Sequence, residues 1–148
     1  MKIVILGAGA VGSTLASLLS QENDLVVVDQ SSSELHRLEE EADIKTLIGG
    51  ASYPNILVNA GIQEADMVVA VTGSDETNIV SCMIAKVLNK SIKTIARVRE
   101  ISYLKGKTKE AMDSGEIPVD IHISPEQLIT EHIQGLIEIP GSLQVMEF

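Results

Sequence analysis

The sequence predicts an α/β fold, a doubly wound sheet of six parallel strands with helices on both faces. Three observations predict it. Six short β-branched runs alternate with helically spaced segments along the 148 residues, the pattern of repeated βα units. Several runs are almost continuously apolar, Met67-Val68-Val69-Ala70-Val71 being the clearest, as strands covered on both faces must be. A glycine-rich turn joins the first strand to the first helix. Short right-handed crossovers then leave the strand order 3-2-1-4-5-6.

Each element has its own local reason. Residues 2–6 form the first strand, and Val11, Leu15 and Leu18 line one face of the helix after it. Residues 25–29 form the second strand. Ser31 with Glu34 three positions later predicts a capping box for the second helix, whose apolar face is Leu35 and Leu38. Residues 44–48 form the third strand. Pro54 suits the start of a short third helix, and Gly61 lies just past its end. Residues 66–72 form the fourth strand. Asp75 is placed to cap a fourth helix, whose apolar face reads Val80, Ile84, Val87 and Leu88. Residues 93–99 and 119–123 complete the sheet. Ser124-Pro125-Glu126-Gln127 then opens a last helix with an apolar stripe of Ile129, Ile133, Leu136 and Ile137, ended by Pro140-Gly141. The expected division is a nucleotide-binding domain at 1–123 and, at 124–148, a helix and the start of a following subdomain. The chain ends on a strand-like run from Ser142 to Phe148 that would need a pairing partner, so an N-terminal piece of a longer polypeptide is expected.

Composition narrows the function. The chain is 45% hydrophobic but only 2% aromatic, so the core must be aliphatic. Its net charge of -10 argues against nucleic-acid binding, which needs a cationic face and, for single strands, stacking rings. The single cysteine, Cys82, excludes an internal disulfide and a cysteine-based zinc cluster, and reads as a small buried hydrophobe. No apolar run spans a bilayer, and the small-residue N-terminus reads as a glycine turn rather than a signal peptide. A cytoplasmic protein without direct membrane insertion is expected.

The chemistry sits in Gly7-Ala8-Gly9-Ala10-Val11-Gly12, a G-x-G-x-x-G between strand and helix. Gly7 permits the tight turn. Gly9 lets a pyrophosphate approach the backbone, and Gly12 lets the helix pack closely. The helix N-terminus offers N–H groups and the positive end of its dipole to phosphate. Asp29 ends the second strand 17 positions after Gly12, where a carboxylate accepts from adenosine ribose hydroxyls and repels a 2′-phosphate. Together these predict a Rossmann-like site for an adenine nucleotide, with NADP disfavoured. Thr72 and Gly73 should lie beside the ribose and phosphates, while Ser74 and Asp75 read as helix caps. Arg97 and Arg99 share a strand face, and each has a phosphate contact or a surface ion pair as its reading. No catalytic residue and no metal ligand is assigned: His36, His122 and His132 have no nucleophile, acid or ligand partner at a useful spacing.

The motifs resemble a specific family. Met1 to Gly12, Val27-Val28-Asp29, Ala65 to Thr72, Ser74-Asp75-Glu76-Thr77-Asn78, Ile95 to Arg99, Ser124 to Leu128 and Pro140 to Val145 are similar to the N-terminal nucleotide-binding domain of TrkA-type potassium-uptake regulators, the RCK or KTN family. The resemblance implies a regulatory, non-enzymatic subunit at the cytoplasmic face of a Trk-type potassium-translocating membrane protein. It implies NAD(H) or ATP/ADP as ligand, and assembly as a dimer, tetramer or ring. By position it assigns Gly7 to Val11 as the phosphate loop, Asp29 to the ribose, and Thr72, Gly73 and Arg97 to the nucleotide, and makes 125–138 a crossover helix between subunits. Two departures matter. Gly49 is followed by Gly50 where many relatives carry an acid that meets adenine. Ala10 and Val11 bring no cation to the loop where ATP-preferring relatives often do, which favours NAD(H). The alternatives are the cofactor domain of an NAD-dependent oxidoreductase, and an oligomeric scaffold without nucleotide affinity.

Overall fold

The structure, a computed structural model, describes residues 1–124. The expected crossover helix with its stripe from Ile129 to Ile137, His132, and the run from Ser142 to Phe148 lie outside the described residues. The six strands are β1 (Lys2–Leu6), β2 (Asp24–Asp29), β3 (Lys45–Ile48), β4 (Met67–Ala70), β5 (Lys93–Arg97) and β6 (Ile121–Ile123). Between them run α1 (Ala10–Leu19), α2 (Ser32–Glu41), α3 (Pro54–Asn59), α4 (Asp75–Leu88) and α5 (Gly106–Ser114). Every pairing is parallel and the order is β3-β2-β1-β4-β5-β6, as the alternation predicts. The strands end earlier than their apolar runs. β4 stops at Ala70, with Val71 N–H still donating to Leu6 O at 2.8 Å, because the chain beyond turns into α4.

Alternating side chains divide the interior into two aliphatic layers. Val4, Leu6, Val28, Val68 and Ala96 point to one layer, with Leu57 of α3 and Cys82 and Ala85 of α4. Ile3, Ile5, Val27 and Val69 point to the other, with Ala16 of α1 and Leu35 and Leu38 of α2. Each fully buried Ile, Leu or Val contributes roughly 1.5–3 kcal/mol. Burial on both faces explains why β1 and β4 read as unbroken apolar runs.

The helices correct four expectations. α4 docks through Asn78, Ile79, Ser81, Cys82 and Ala85; of the expected stripe Ile84 and Leu88 pack against this layer, while Val80 and Val87 are 42% and 75% exposed. Small side chains let the helix sit close to the sheet, so the docking face is not the most hydrophobic one. α1 likewise docks through Gly12 and Ala16, and Leu18 is exposed. At α2, Ser31 Oγ accepts from Glu34 N–H at 3.3 Å, but the reciprocal arm is absent: Ser31 N–H goes to Asp29 Oδ1, and the Glu34 carboxylate pairs with Arg37. At α4 the cap is Ser74, accepting from Thr77 N–H at 3.1 Å, whereas the Asp75 carboxylate accepts from Arg99 and Glu100 N–H. Pro54 opens α3, and Gly61 follows it at φ +89°.

Candidate functional site

At the carboxyl edge of the sheet, β1 runs into the glycine turn. Gly7 sits at φ +111°, and a Cβ there would lie 3.0 Å from Val71 O. A Cβ on Gly12 would lie 1.8 Å from Gly7 O, so the turn and α1 close only without one. Gly9 differs. It is exposed, and a Cβ there would meet no protein atom within 4 Å. Protein packing does not require glycine at this position, and the backbone there is open to approach. Gly9 also caps α1 without a side chain, so the helix's first N–H groups face outward at its positive end. Ala10 is exposed beside it, Val11 packs into the core, and Ala8 is fully buried.

Asp29 ends β2 directly beneath this turn. Its Oδ2 accepts from Ala8 N–H and its Oδ1 from Ser31 N–H, both at 2.7 Å. The carboxylate therefore ties the glycine turn to the start of α2. Each oxygen keeps a second lone-pair direction for a ligand hydroxyl.

Gly7, Asp29, Thr72 and Gly73, four of the predicted residues, meet in one crevice of about 320 Å³. Val28, Gln30, Gly49, Ala51, Ser74 and Thr77 complete its lining. A larger concavity, about 800 Å³, opens at the opposite sheet edge around Lys2, Asp24 and Lys45. The smaller one is the candidate site, because helix N-termini, which bind anions, gather at the carboxyl edge.

Ala8, Gly9, Ala10, Val11, Gly12, Arg97 and Arg99 are not part of that lining. Arg97 ends β5 on the face occupied by α1, since Ile95 two positions earlier packs there. Its Nε is buried with no hydrogen-bond partner among the described residues, a costly state for a cationic donor. Arg99 lies beyond the strand, with its N–H on Asp75. The glycine turn, Asp29 and the orphaned Arg97 Nε together fit an adenine nucleotide. These groups would hold its phosphates and ribose.

Sequence reasoning missed Asn78. It is 0% exposed and bonds Thr72 three ways and β5 once: Oδ1 accepts from Thr72 N–H at 2.9 Å and Thr72 Oγ1 at 2.6 Å, and Nδ2 donates to Thr72 O at 3.2 Å and Arg97 O at 2.9 Å. The available signal was an Asn in helical phase with Cys82 and Ala85, a buried polar residue that must find partners.

Among the described residues no histidine or cysteine lines the crevice. His36 is exposed on α2 near Glu40, and His122 is exposed on β6. Burial pushes the Cys82 thiol up to about 12, with Asp120 adding and Lys86 opposing. Among the described residues, no group of three His, Cys, Asp or Glu side chains is placed to hold a metal ion.

Comparison with known proteins follows the same lines. Residues 3–125 match the model of the TrkA-N domain family. The chain is 49% identical over 149 aligned positions to the Trk system potassium uptake protein TrkA of Halomonas elongata, covering 100% of this chain and 32% of that protein. The chain thus spans about a third of the length of such relatives. Solved structures share the fold, among them two with a nucleotide bound. The Kef C-terminal domain of Shewanella denitrificans, in an AMP-bound form, has a TM-score of 0.70 at 20% identity over 98% of this chain and 86% of that one. The GsuK channel bound to NAD has a TM-score of 0.69 at 21% identity over 91% of this chain and 23% of that one.

Proposed function

This chain belongs to the TrkA-N domain family, and on that premise we propose that it is the nucleotide-sensing part of a regulatory subunit in a Trk-type potassium uptake system. The observation that carries the reading is the empty space over Gly9 together with the Asp29 clamp beneath the same turn. The N–H groups at the start of α1 bind phosphate oxygens, and the Asp29 carboxylate orients the ribose through its remaining lone pairs. The Arg97 Nε, buried without a described partner, supplies a cation to the phosphates. Ala10 and Val11 leave the loop without a positive charge, which favours NAD(H) over ATP or ADP. Asp29 excludes a 2′-phosphate and hence NADP.

The role is regulatory rather than catalytic. Occupancy of the crevice changes how α1, the β4 exit and the β5 exit sit together, and the change passes to the membrane subunit at its cytoplasmic face. Copies of the chain associate as a dimer, tetramer or ring through the segment 125–138. Attachment at the membrane runs through the partner subunit; among the described residues no helix is long and apolar enough to cross a membrane. Calorimetric titration with NAD, NADH, ATP, ADP and NADP tests the ligand. Saturable binding with NAD or NADH tightest and NADP weakest is expected, and no heat from any of the five sinks the proposal. Sedimentation tests the association: a monomer at tens of micromolar, with and without nucleotide, removes the oligomer.

A further inference from the structure

Thr72 lines the crevice, yet its own hydrogen bonds decide what it can offer a ligand. Asn78 Oδ1 lies 2.9 Å from Thr72 N and 2.6 Å from Thr72 Oγ1, and its Nδ2 lies 3.2 Å from Thr72 O and 2.9 Å from Arg97 O. The amide orientation follows, because a flipped amide would set Nδ2 against an N–H and Oδ1 against two carbonyls. Oδ1 can only accept, so at 2.6 Å the Thr72 hydroxyl must donate to it. Donation to Ser74 O, 3.2 Å away, would instead press two lone pairs together. Ser74 N–H, at 3.3 Å, approaches the same hydroxyl oxygen as a donor. Both Thr72 donors are therefore spent inside the wall, and Asn78 cannot turn away without stranding a buried amide.

We infer that Asn78 is a positioning residue that makes the β4 exit an acceptor-only wall, so that Thr72 receives a hydroxyl or amino hydrogen of the nucleoside and turns phosphate away toward α1. The inference rests on the nucleotide reading above. It assigns Thr72 to the uncharged half of the ligand alone. It also ties that contact to Arg97, whose carbonyl Asn78 holds.

The test uses the purified chain with two probes, ADP and inorganic pyrophosphate. Thr72→Val removes the hydroxyl at nearly constant volume. It should weaken ADP by roughly 3- to 12-fold, the worth of one neutral hydrogen bond, and leave pyrophosphate within twofold. Thr72→Ser, which keeps the hydroxyl, should restore ADP. Asn78→Ala releases both Thr72 donors and should shift the ratio of affinities toward pyrophosphate, which a loss of stability alone does not do. If that variant fails to fold by circular dichroism, the two Thr72 variants decide. Equal weakening of both probes by Thr72→Val, or none of ADP, overturns the inference while the nucleotide reading stands. A parent that binds neither probe overturns both.

Discussion

Removing the Asp29 carboxylate should loosen the empty protein as well as weaken its ligand. Asp29 accepts two charge-assisted bonds at 2.7 Å, from Ala8 and Ser31 N–H. The two losses are unequal. Ser31 is half-exposed, so water replaces much of its bond, whereas Ala8 is 0% exposed and its N–H has no substitute. With bonds to charged groups contributing about 1.5–3 kcal/mol, Asp29→Ala should cost about 2–3 kcal/mol without ligand. For a domain of this size that lowers the melting midpoint by roughly 4–12 °C. Urea and thermal unfolding of the ligand-free chain measure it. Ser31→Ala, which removes only the α2 cap, is the control at about 1 kcal/mol. Nucleotide binding should weaken a further 10- to 150-fold, about 1.5–3 kcal/mol, through the lost ribose bonds. An Asp29→Ala chain that melts with the parent, or no lower than Ser31→Ala, refutes the clamp. Unchanged affinity for NAD and ADP, or a parent preference for NADP, refutes the placement of the ribose.

The second and third glycines of the motif should separate folding from binding. Gly9→Ala places its Cβ in open space, so unfolding should shift by less than about 0.5 kcal/mol while nucleotide titration shows a large loss of affinity. Gly12→Ala drives its Cβ into the Gly7 carbonyl and should prevent a cooperative unfolding transition. Cys82, buried and with its thiol pushed up to about 12, should resist an aromatic disulfide reagent at pH 8 until urea unfolds the chain; prompt labelling of the folded form would contradict its burial. The Asp120 carboxyl is disfavoured as an anion by burial, but the Thr94 N–H and hydroxyl and the Lys86 ammonium outweigh this and hold it below the ordinary 3.8. Its stabilising effect is therefore complete above that value and fades as pH falls through the lower folded value. Asp120→Asn should cost about 0.5–1.5 kcal/mol at pH 6, and the difference in urea midpoint from the parent should shrink toward pH 3.

The fold and the glycine turn were legible in the chain because they rest on local rules. β-branched runs such as Met67 to Val71 announce buried strands, the glycine spacing announces a turn that only glycine closes, and a strand-end carboxylate at Asp29 lies within reach of that turn. Short parallel crossovers leave little topological freedom, so the strand order follows too. What the tertiary structure alone decided is which way polar groups point once elements meet. Val87 belongs to the apolar stripe by periodicity, yet α4 docks through Ser81, Cys82 and Ala85, because closeness to the sheet outweighs side-chain size. Asp75 looks like a cap and instead holds the exit of β5. Asn78 looks like one more helical polar residue, and only the approach of the β4 and β5 exits shows that its amide is wholly engaged. Hydrogen bonds between segments far apart in sequence are set by geometry at the end of folding, and no spacing along the chain encodes them.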